Sequence, residues 1–170
     1  ITRYNFVKPY VKGRVVLDIA CGSGYGTKKI LDNGASNVYG VDVSEDAIKH
    51  CSNNVIDDNI KFICGSGTNM DFFKNKFFYV VISLETLEHM DEKAGDKFLG
   101  EINRILKDGG LLILSTPNKK VLSPGMKKPG NKYHIREYIH KELIMKFKKN
   151  GFKVKEDLVQ TIILIFMNIF

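Results

Sequence analysis

The sequence predicts a single α/β domain in which helices cover both faces of a doubly wound, mostly parallel sheet. Short apolar runs rich in β-branched residues alternate with segments whose apolar residues recur at helical spacing. Parallel strands joined by helices require right-handed crossovers, which place helices on both faces of the sheet. A chain of 170 residues is also long enough to bury one such core.

The predicted strands are the apolar runs, and the predicted helices lie between or after them. The strands are residues 15–18, 38–42, 60–64, 78–83 and 111–115, and the helices are residues 26–33, 45–54, 94–106 and 140–150. Ser44 is a good N-cap for the second helix. Phe98, Ile102 and Ile105 recur at helical spacing in the third, which residues 107–110 are expected to end. The tail from Phe152 is expected to add one or two strands.

The charge of the chain is unevenly distributed. The formal net charge is +7, and the segment from Lys119 to Lys155 holds twelve Lys and Arg residues against two acids, Glu137 and Glu142. Such a segment attracts an anionic substrate or a nucleic acid, or it is a lysine-rich solvated surface.

Three scattered cysteines and a short apolar tail indicate a cytoplasmic protein without a membrane partner. Cys21, Cys51 and Cys64 show no CxxC spacing, as expected in a reducing compartment. The apolar run that begins at Ile162 is far shorter than the roughly 20 residues that a membrane helix needs. Because the first residue is Ile1, we expect a trimmed N-terminus.

A glycine-rich turn after the first predicted strand indicates a cofactor site. In "VVLDIACGSGYGTKKI" the glycines are Gly22, Gly24 and Gly26, so the third is one place early for a dinucleotide-binding turn. A carboxylate at Asp18 would be costly beside a diphosphate but suits an ammonium and a sulfonium. Asp42, twenty positions after Gly22, is placed to bind ribose hydroxyls. These features together favour S-adenosylmethionine over a dinucleotide.

The chain resembles the class I S-adenosylmethionine-dependent methyltransferases over nearly its whole length. The motifs that carry the resemblance are "VLDIACGSGYG", "VYGVDVSEDAI", "FICGSG", "FFYVVISLETLEHM" and "EINRILKDGGLLILSTPN". The resemblance implies a Rossmann-like sheet of seven strands, with the last two beside the fifth. Two departures stand out: Ser66 and Tyr79 each occupy a position where many relatives carry Asp.

The same resemblance assigns the residues around the cofactor. It places Asp18, Gly22 and Gly24 toward the methionine end, Asp42 and Val43 at the ribose and adenine, Gly65, Ser66 and Gly67 by the adenine amino group, and Leu84 and Glu85 beside the cofactor; Ala20 is a further predicted cofactor residue. Tyr4 lies in the N-terminal segment, residues 1–12, which relatives bring over the cofactor. For Tyr4, packing and cofactor contact both remain open.

The pentapeptide "ETLEH" is the candidate catalytic or metal-binding motif. If it is helical, Glu85, Glu88 and His89 share one face and could hold Mg²⁺ or Mn²⁺. The pattern resembles ubiquinone-biosynthesis O-methyltransferases and small-RNA 3′-terminal ribose 2′-O-methyltransferases, and the second group implies His134 as a further ligand. Without a metal, His89 or His134 is the candidate base. Arg136 and Glu137 could pair to order the loop.

The predicted function is therefore methyl transfer from S-adenosylmethionine to a small-molecule acceptor, with a hydroxyl favoured. The alternatives are a metal-assisted RNA 3′-terminal methyltransferase, for which the basic segment would suit the RNA end, and a non-catalytic binding subunit of the same fold. Residues 1–12 and 118–136 are expected to select the substrate. The sequence leaves the acceptor and the oligomeric state open.

Overall fold

The computed structural model describes residues 3–158 and 162–168, with side chains over residues 4–155. Its strands are β1 (Val15–Ile19), β2 (Asn37–Asp42), β3 (Ile60–Cys64), β4 (Phe78–Leu84), β5 (Leu106–Thr116), β6 (Phe152–Leu158) and β7 (Ile162–Asn168). Its helices are α1 (Arg3–Phe6), α2 (Lys8–Val11), α3 (Tyr25–Asp32), α4 (Glu45–Asn54), α5 (Glu92–Ile105), α6 (Lys119–Leu122) and α7 (His140–Lys149), and a 3₁₀ turn spans Leu87–His89.

The strands form one sheet with the order β3-β2-β1-β4-β5-β7-β6. The first five strands are parallel, whereas β7 pairs antiparallel with β5 and β6 antiparallel with β7. This arrangement confirms the doubly wound α/β fold. The strand order changes direction between β1 and β4, and such a switch point opens a crevice at the carboxyl ends of the strands.

Two apolar clusters, one on each face, hold the helices to the sheet. Phe98 and Ile102 of α5 pack with Leu143 and Phe147 of α7 on one face. On the other, Val7, Val11 and Ile30 from the N-terminal segment and α3 pack against Val16 and Ile82. In the described part of the chain, no helix is both long enough and apolar enough to span a bilayer.

The structure moves the predicted starts of α5 and β5. Helix α5 begins at Glu92 rather than 94, because the Asp91 side chain caps it by accepting from the Ala94 amide at 2.8 Å. Residues 107–110 lie inside β5, as an irregularity between the pairs Phe78–Leu106 and Val80–Leu111. Their glycines therefore bend a strand instead of separating it from the helix. The link between β6 and β7 lies outside the described residues.

A buried lysine fastens α7 to α5. The Lys146 ammonium donates to Asp96 Oδ1 at 2.5 Å and to Glu92 Oε1 at 3.0 Å, and its side chain is only 4% exposed. Lys149, one turn later, reaches the same aspartate at 3.2 Å but is 73% exposed. Hydrogen bonding to Lys146 lowers the pKa of Asp96 to about 2.

We predict that Lys146→Ala lowers the free energy of unfolding by about 2 kcal/mol at pH 7, because a hydrogen-bonded buried charge and its packing are lost. Lys149→Ala is the matched control and should cost less than about 0.5 kcal/mol, as exposed ion pairs do. Urea unfolding followed by circular dichroism measures both.

The same pair should show a characteristic pH dependence. The folded-state pKa of Asp96 lies below its ordinary value, so the stabilisation is present above that value and is lost as pH falls toward about 2. The difference in the free energy of unfolding between the wild type and Lys146→Ala should therefore become smaller below pH ~4. If Lys146→Ala and Lys149→Ala lost the same free energy of unfolding at pH 7, the stabilising role of the buried Lys146 would be contradicted.

Candidate active site

A cavity of about 290 Å³ opens at the carboxyl ends of β1, β2, β3 and β4, on the α5 side of the switch point. Its walls come from strand ends and from the turns that follow them, the usual position for a ligand in an open α/β sheet. The lining residues are Ile19, Ala20, Val41, Asp42, Val43, Gly65, Ser66, Gly67, Glu85, Thr86, His89 and Met90.

The glycine turn after β1 has the backbone that only glycine adopts without strain. Gly22 and Gly24 have φ angles of +53° and +75°. A β-carbon on Gly24 would lie 3.0 Å from both the Cys51 sulfur and the Phe62 ring, so a side chain would also be crowded. The turn leads directly into α3, whose N-cap is Gly24 and has no side-chain cap.

Asp42 joins the end of β2 to this turn. Its Oδ2 accepts from the Gly22 amide at 2.9 Å, and its Oδ1 accepts from the Ser44 amide at 3.0 Å. Each carboxylate oxygen keeps a further lone pair, and Asp42 lines the cavity. The residue can therefore shape the turn and still accept hydrogen bonds from a ligand, as the sequence predicts.

Asp18 lies beneath the turn and not at its mouth. Its side chain is buried, it does not line the cavity, and it accepts from the Thr27 hydroxyl at 2.8 Å. Burial raises the pKa of Asp18 to about 7, and the neighbouring Asp42 carboxylate adds to the rise. Near neutral pH the group is therefore poised between its neutral and charged forms, and a nearby cation would favour the charged form.

Tyr4 packs against the start of α3. A β-carbon on Gly26 would lie 2.1 Å from the Tyr4 ring, and this ring meets Tyr25 edge-on at 6.3 Å. Leu84 also points away from the cavity, since it packs with the apolar cluster on the opposite face. Among the predicted cofactor residues, Tyr4, Asp18, Gly22, Gly24 and Leu84 do not line the cavity.

The other seven predicted cofactor residues do line it: Ala20, Asp42, Val43, Gly65, Ser66, Gly67 and Glu85. Ser66 exchanges a hydrogen bond with the Thr68 hydroxyl at 2.9 Å and accepts from the Thr68 amide. Its hydroxyl is thus oriented by the loop. Glu85 has a φ of +55°, unusual for a side-chain-bearing residue, and its carboxylate accepts from the Ser115 hydroxyl at 2.8 Å.

Glu88, His89 and His134 come together at the edge of the cavity. One potential ligand atom of each lies within 4.8 Å of the other two. Glu85 stands outside this group in the described part of the chain, because the left-handed turn at Glu85 breaks the helical face on which the sequence analysis placed it. The prediction that Glu85 is a metal ligand is therefore not supported, whereas Glu88, His89 and His134 lie close enough together to share an ion.

The loop of residues 118–136 brings His134 to this position by folding back over the 3₁₀ turn. The backbone amides of Ile135 and Arg136 both donate to the Glu88 carbonyl oxygen, at 2.8 and 3.0 Å. The imidazole of His89 donates from Nδ1 to the Tyr133 carbonyl at 2.9 Å. These bonds fix the two histidine rings 5.3 Å apart and nearly perpendicular.

Hydrogen bonding assigns the same tautomer to both histidines. A carbonyl oxygen only accepts, so His89 carries its proton on Nδ1 and keeps a lone pair on Nε2. For His134, Glu137 Oε1 lies 2.9 Å from Nδ1, and the Asn131 amide nitrogen donates to Nε2 at 3.0 Å. His89 Nε2 therefore keeps a lone pair with which it can act as a base or as a ligand, whereas His134 Nε2 already accepts a hydrogen bond from Asn131 and would have to exchange it for a ligand.

Two buried carboxylates support the histidines and retain unpaired oxygens. Glu88 is fully buried, its Oε2 accepts from the Thr116 hydroxyl at 2.9 Å, and its Oε1 has no hydrogen-bond partner among the described residues. Burial raises the pKa of Glu88. The second oxygen of Glu137 is likewise without a partner there. A buried oxygen without a partner is costly and is often explained by an absent ligand or ion.

The predicted Arg136–Glu137 pair does not form. Arg136 pairs with Glu92 of α5, whereas Glu137 pairs with His134. Glu137 is buried whereas Arg136 is partly exposed, so the two side chains lie in different environments. Ile19, Val41, Thr86 and Met90 also line the cavity and were not predicted from the sequence; Thr86 lies within the pentapeptide "ETLEH", and Met90 follows it directly.

Comparisons with known proteins point to one family. Residues 16–110 match the model of a methyltransferase domain family. A protein of Mycolicibacterium smegmatis named as an S-adenosylmethionine-dependent methyltransferase is 32% identical over 86% of this chain and 54% of the relative. The mitochondrial ubiquinone biosynthesis O-methyltransferase of Dictyostelium discoideum is 32% identical over 66% of this chain and 38% of the relative.

A solved structure shows the same fold. The 1,6-didemethyltoxoflavin-N1-methyltransferase of Burkholderia thailandensis, with bound 1,6-didemethyltoxoflavin and S-adenosylhomocysteine, superposes with a TM-score of 0.80 at 17% identity, over 99% of this chain and 79% of that one. The chain spans about half the length of the curated relatives that it matches. On the family match and these relatives, the chain belongs to the class I S-adenosylmethionine-dependent methyltransferases.

Proposed function

We propose that the chain binds S-adenosylmethionine in the cavity and transfers its methyl group to a hydroxyl of a small-molecule acceptor, with His89 as general base. One observation carries this proposal: His89 lines the cavity and also belongs to the cluster with Glu88 and His134. A proton acceptor thus lies at the wall of the cofactor cavity, where an acceptor hydroxyl would approach the methyl group.

The proposed step balances without a further reactant. The acceptor hydroxyl gives its proton to His89 Nε2, and its oxygen forms a bond to the methyl carbon. The carbon–sulfur bond breaks, and its electron pair stays on sulfur, which leaves neutral S-adenosylhomocysteine. The Tyr133 carbonyl supports the histidine, because it fixes the tautomer and stabilises the imidazolium. The name of the Dictyostelium relative, an O-methyltransferase, supports oxygen as the methylated atom.

The cluster also fits a divalent cation, which is the second candidate role for these residues. One carboxylate and two imidazoles with Nε2 lone pairs form a mixed oxygen and nitrogen donor set, and Glu88 Oε1 is an unpaired buried oxygen. This set suits Mn²⁺ better than Mg²⁺, which prefers oxygen ligands. A bound cation would lower the pKa of an acceptor hydroxyl. Glu88, His89 and His134 would hold it, and His134 would exchange its bond to Asn131 for the cation.

An RNA 3′ end is the alternative acceptor. The observation in its favour is that residues 118–136 hold five lysines and no acid, beside the same cluster. A labelled-cofactor assay with phenols, catechols and aliphatic alcohols, and separately with a synthetic RNA oligonucleotide plus Mn²⁺, decides between the acceptors. Methylation of the RNA alone would contradict the small-molecule proposal.

We predict that His89→Gln lowers kcat by about 10²- to 10⁴-fold, the usual contribution of a general base. The affinity for the cofactor should stay within about twofold of the wild type, because the substitution removes no charge from the glycine turn. Steady-state kinetics and calorimetry measure the two quantities. His50→Gln, on the exposed face of α4, is the matched control and should retain full activity. Full activity of the His89→Gln variant would show that His89 is not the general base.

We predict that cofactor affinity falls as pH drops below about 7. If the ammonium of the cofactor lies near Asp18, binding favours the charged carboxylate and expels the proton that Asp18 holds at low pH. The association constant should then decrease by up to about tenfold per pH unit below 7, as measured by calorimetry between pH 5.5 and 8.

Asp18→Asn is the control for this pH dependence. Its affinity should be weaker than that of the wild type at pH 8 by about 1.5–3 kcal/mol, the range for hydrogen bonds to charged groups, and nearly constant with pH. Parallel pH profiles for the two proteins would show that another group is responsible.

We predict that Glu88→Gln and His134→Ala abolish Mn²⁺ binding, as measured by calorimetry on the cofactor-free protein. Because Glu137 orients His134, Glu137→Gln should weaken Mn²⁺ binding by about 10- to 100-fold. Glu85→Gln is the matched control because Glu85 lies outside the cluster. If the wild type binds no Mn²⁺, the cation role is wrong and the general-base role of His89 stands alone.

A further inference from the structure

The loop of residues 118–136 exposes an unusual concentration of large apolar side chains. Five of the eleven exposed large apolar residues of the described chain lie within it. They are Val121 (67% exposed), Leu122 (51%), Met126 (49%), Tyr133 (67%) and Ile135 (61%). Scattered single apolar residues are normal on a surface, but a group of five within fifteen positions indicates an interaction site. We call these residues, with the lysines between them, the loop surface.

The loop surface is folded and anchored. The two halves of the loop meet where the Gly130 amide donates to the Ser123 hydroxyl at 2.8 Å, and Ser123 is buried. The C-terminal half is fastened to the cluster through the Ile135 amide, which donates to the Glu88 carbonyl. The C-terminal half of the loop therefore lies at the edge of the sheet where His89 and His134 are found, and the same folded loop carries the exposed side chains.

The charge of the loop surface has one sign. Its lysines are Lys119, Lys120, Lys127, Lys128 and Lys132, and residues 118–136 contain no aspartate or glutamate. Over the described part of the chain, none of the five forms an ion pair with a carboxylate. Lys132 lies 4.9 Å from the centre of the Tyr133 ring, which joins the charged and apolar parts of the surface.

Exposed apolar side chains, in a loop whose lysines have no carboxylate partner in the described chain, match an anionic lipid surface. Lysines interact with anionic headgroups while aliphatic and tyrosine side chains enter the boundary between headgroups and acyl chains. RNA phosphates would satisfy the lysines but leave Val121, Leu122, Met126 and Ile135 in water. The expectation of no membrane partner rests on the lack of a segment long enough to span a bilayer, whereas peripheral docking needs only a surface of this kind.

We propose that the loop surface docks on an anionic lipid bilayer and brings the cluster of Glu88, His89 and His134 to it. The acceptor is then an amphiphile whose hydroxyl-bearing head reaches the cavity while its tail stays in the lipid. This assignment of the acceptor rests on the proposed function; docking itself does not.

Sedimentation with vesicles tests the docking. The protein should partition onto vesicles that contain 40% phosphatidylglycerol, a composition we choose for the assay, and not onto pure phosphatidylcholine, and salt should weaken the binding. Lys127→Glu with Lys128→Glu should weaken partitioning by at least about 25-fold, since each lysine near such a surface contributes about fivefold. Lys74→Glu with Lys148→Glu, at two exposed positions outside the loop, is the control with the same change of charge and should retain most of the binding.

A second pair of variants tests the apolar contribution. Leu122→Ser with Met126→Ser should weaken partitioning by roughly tenfold, because two side chains no longer enter the lipid. Ile56→Ser, at a position 84% exposed far along the chain from the loop, is the apolar control and should change nothing. Calorimetry with S-adenosylmethionine on all variants shows that the fold and the cofactor cavity are intact.

Three outcomes overturn the proposal. They are equal loss in the lysine variant and its control, binding to an RNA oligonucleotide with no vesicle binding, and loop-dependent self-association without vesicle binding. If the protein binds to vesicles as expected but methylates no hydroxyl, docking is supported and the proposed function fails. Failure of the docking proposal and failure of the proposed function can therefore be told apart.

Discussion

The carbonyl oxygen of Glu88 holds the candidate site together, because it accepts hydrogen bonds from two amides of a distant loop. Those bonds place the loop of residues 118–136 over the 3₁₀ turn and so bring His134 beside His89. The Glu88 side chain is buried at the same point and bonded to Thr116 of β5. Without this junction the cavity would remain, but the cluster at its edge and the anchored loop surface would not exist.

Buried carboxylates appear on both sides of the cavity, and their environments give them different properties. Asp18 lies deep under the glycine turn, where burial raises its pKa to about 7 and makes it sensitive to a ligand cation. Glu88 also has a raised pKa and an oxygen without a partner in the described structure. Asp42 is only half-buried and serves the turn through two backbone amides. A cation that binds beside Asp18 or Glu88 would therefore favour the charged form of that carboxylate.

The basic C-terminal third of the chain contains lysines with two different roles. Lys146 is buried between two acids of α5 and holds α7 to the core. The loop lysines have no carboxylate partners in the described chain, and they belong to the same segment as the exposed apolar side chains. Composition alone cannot separate these roles, since both sets contribute equally to the net charge. Burial and the distance to an acid separate them, and only the second set is available to a partner.

The sequence predicts most of the strands and helices, the glycine turn and the carboxylate at the end of β2. These follow from apolar periodicity and from local backbone preferences, which act within a few residues of one another. It also singled out Glu88, His89 and His134. It placed Glu85 with them because a helical turn was assumed, and the left-handed backbone at Glu85 excludes that arrangement.

Tertiary structure alone decided how deeply Asp18 is buried, which carboxylate orients His134, and which apolar residues of the loop remain exposed. Each of these depends on contacts between segments that are distant in the chain, such as Tyr133 with His89, 44 residues apart. Local patterns carry no information about such contacts, because the free energy that fixes them comes from packing and hydrogen bonds formed after the elements assemble.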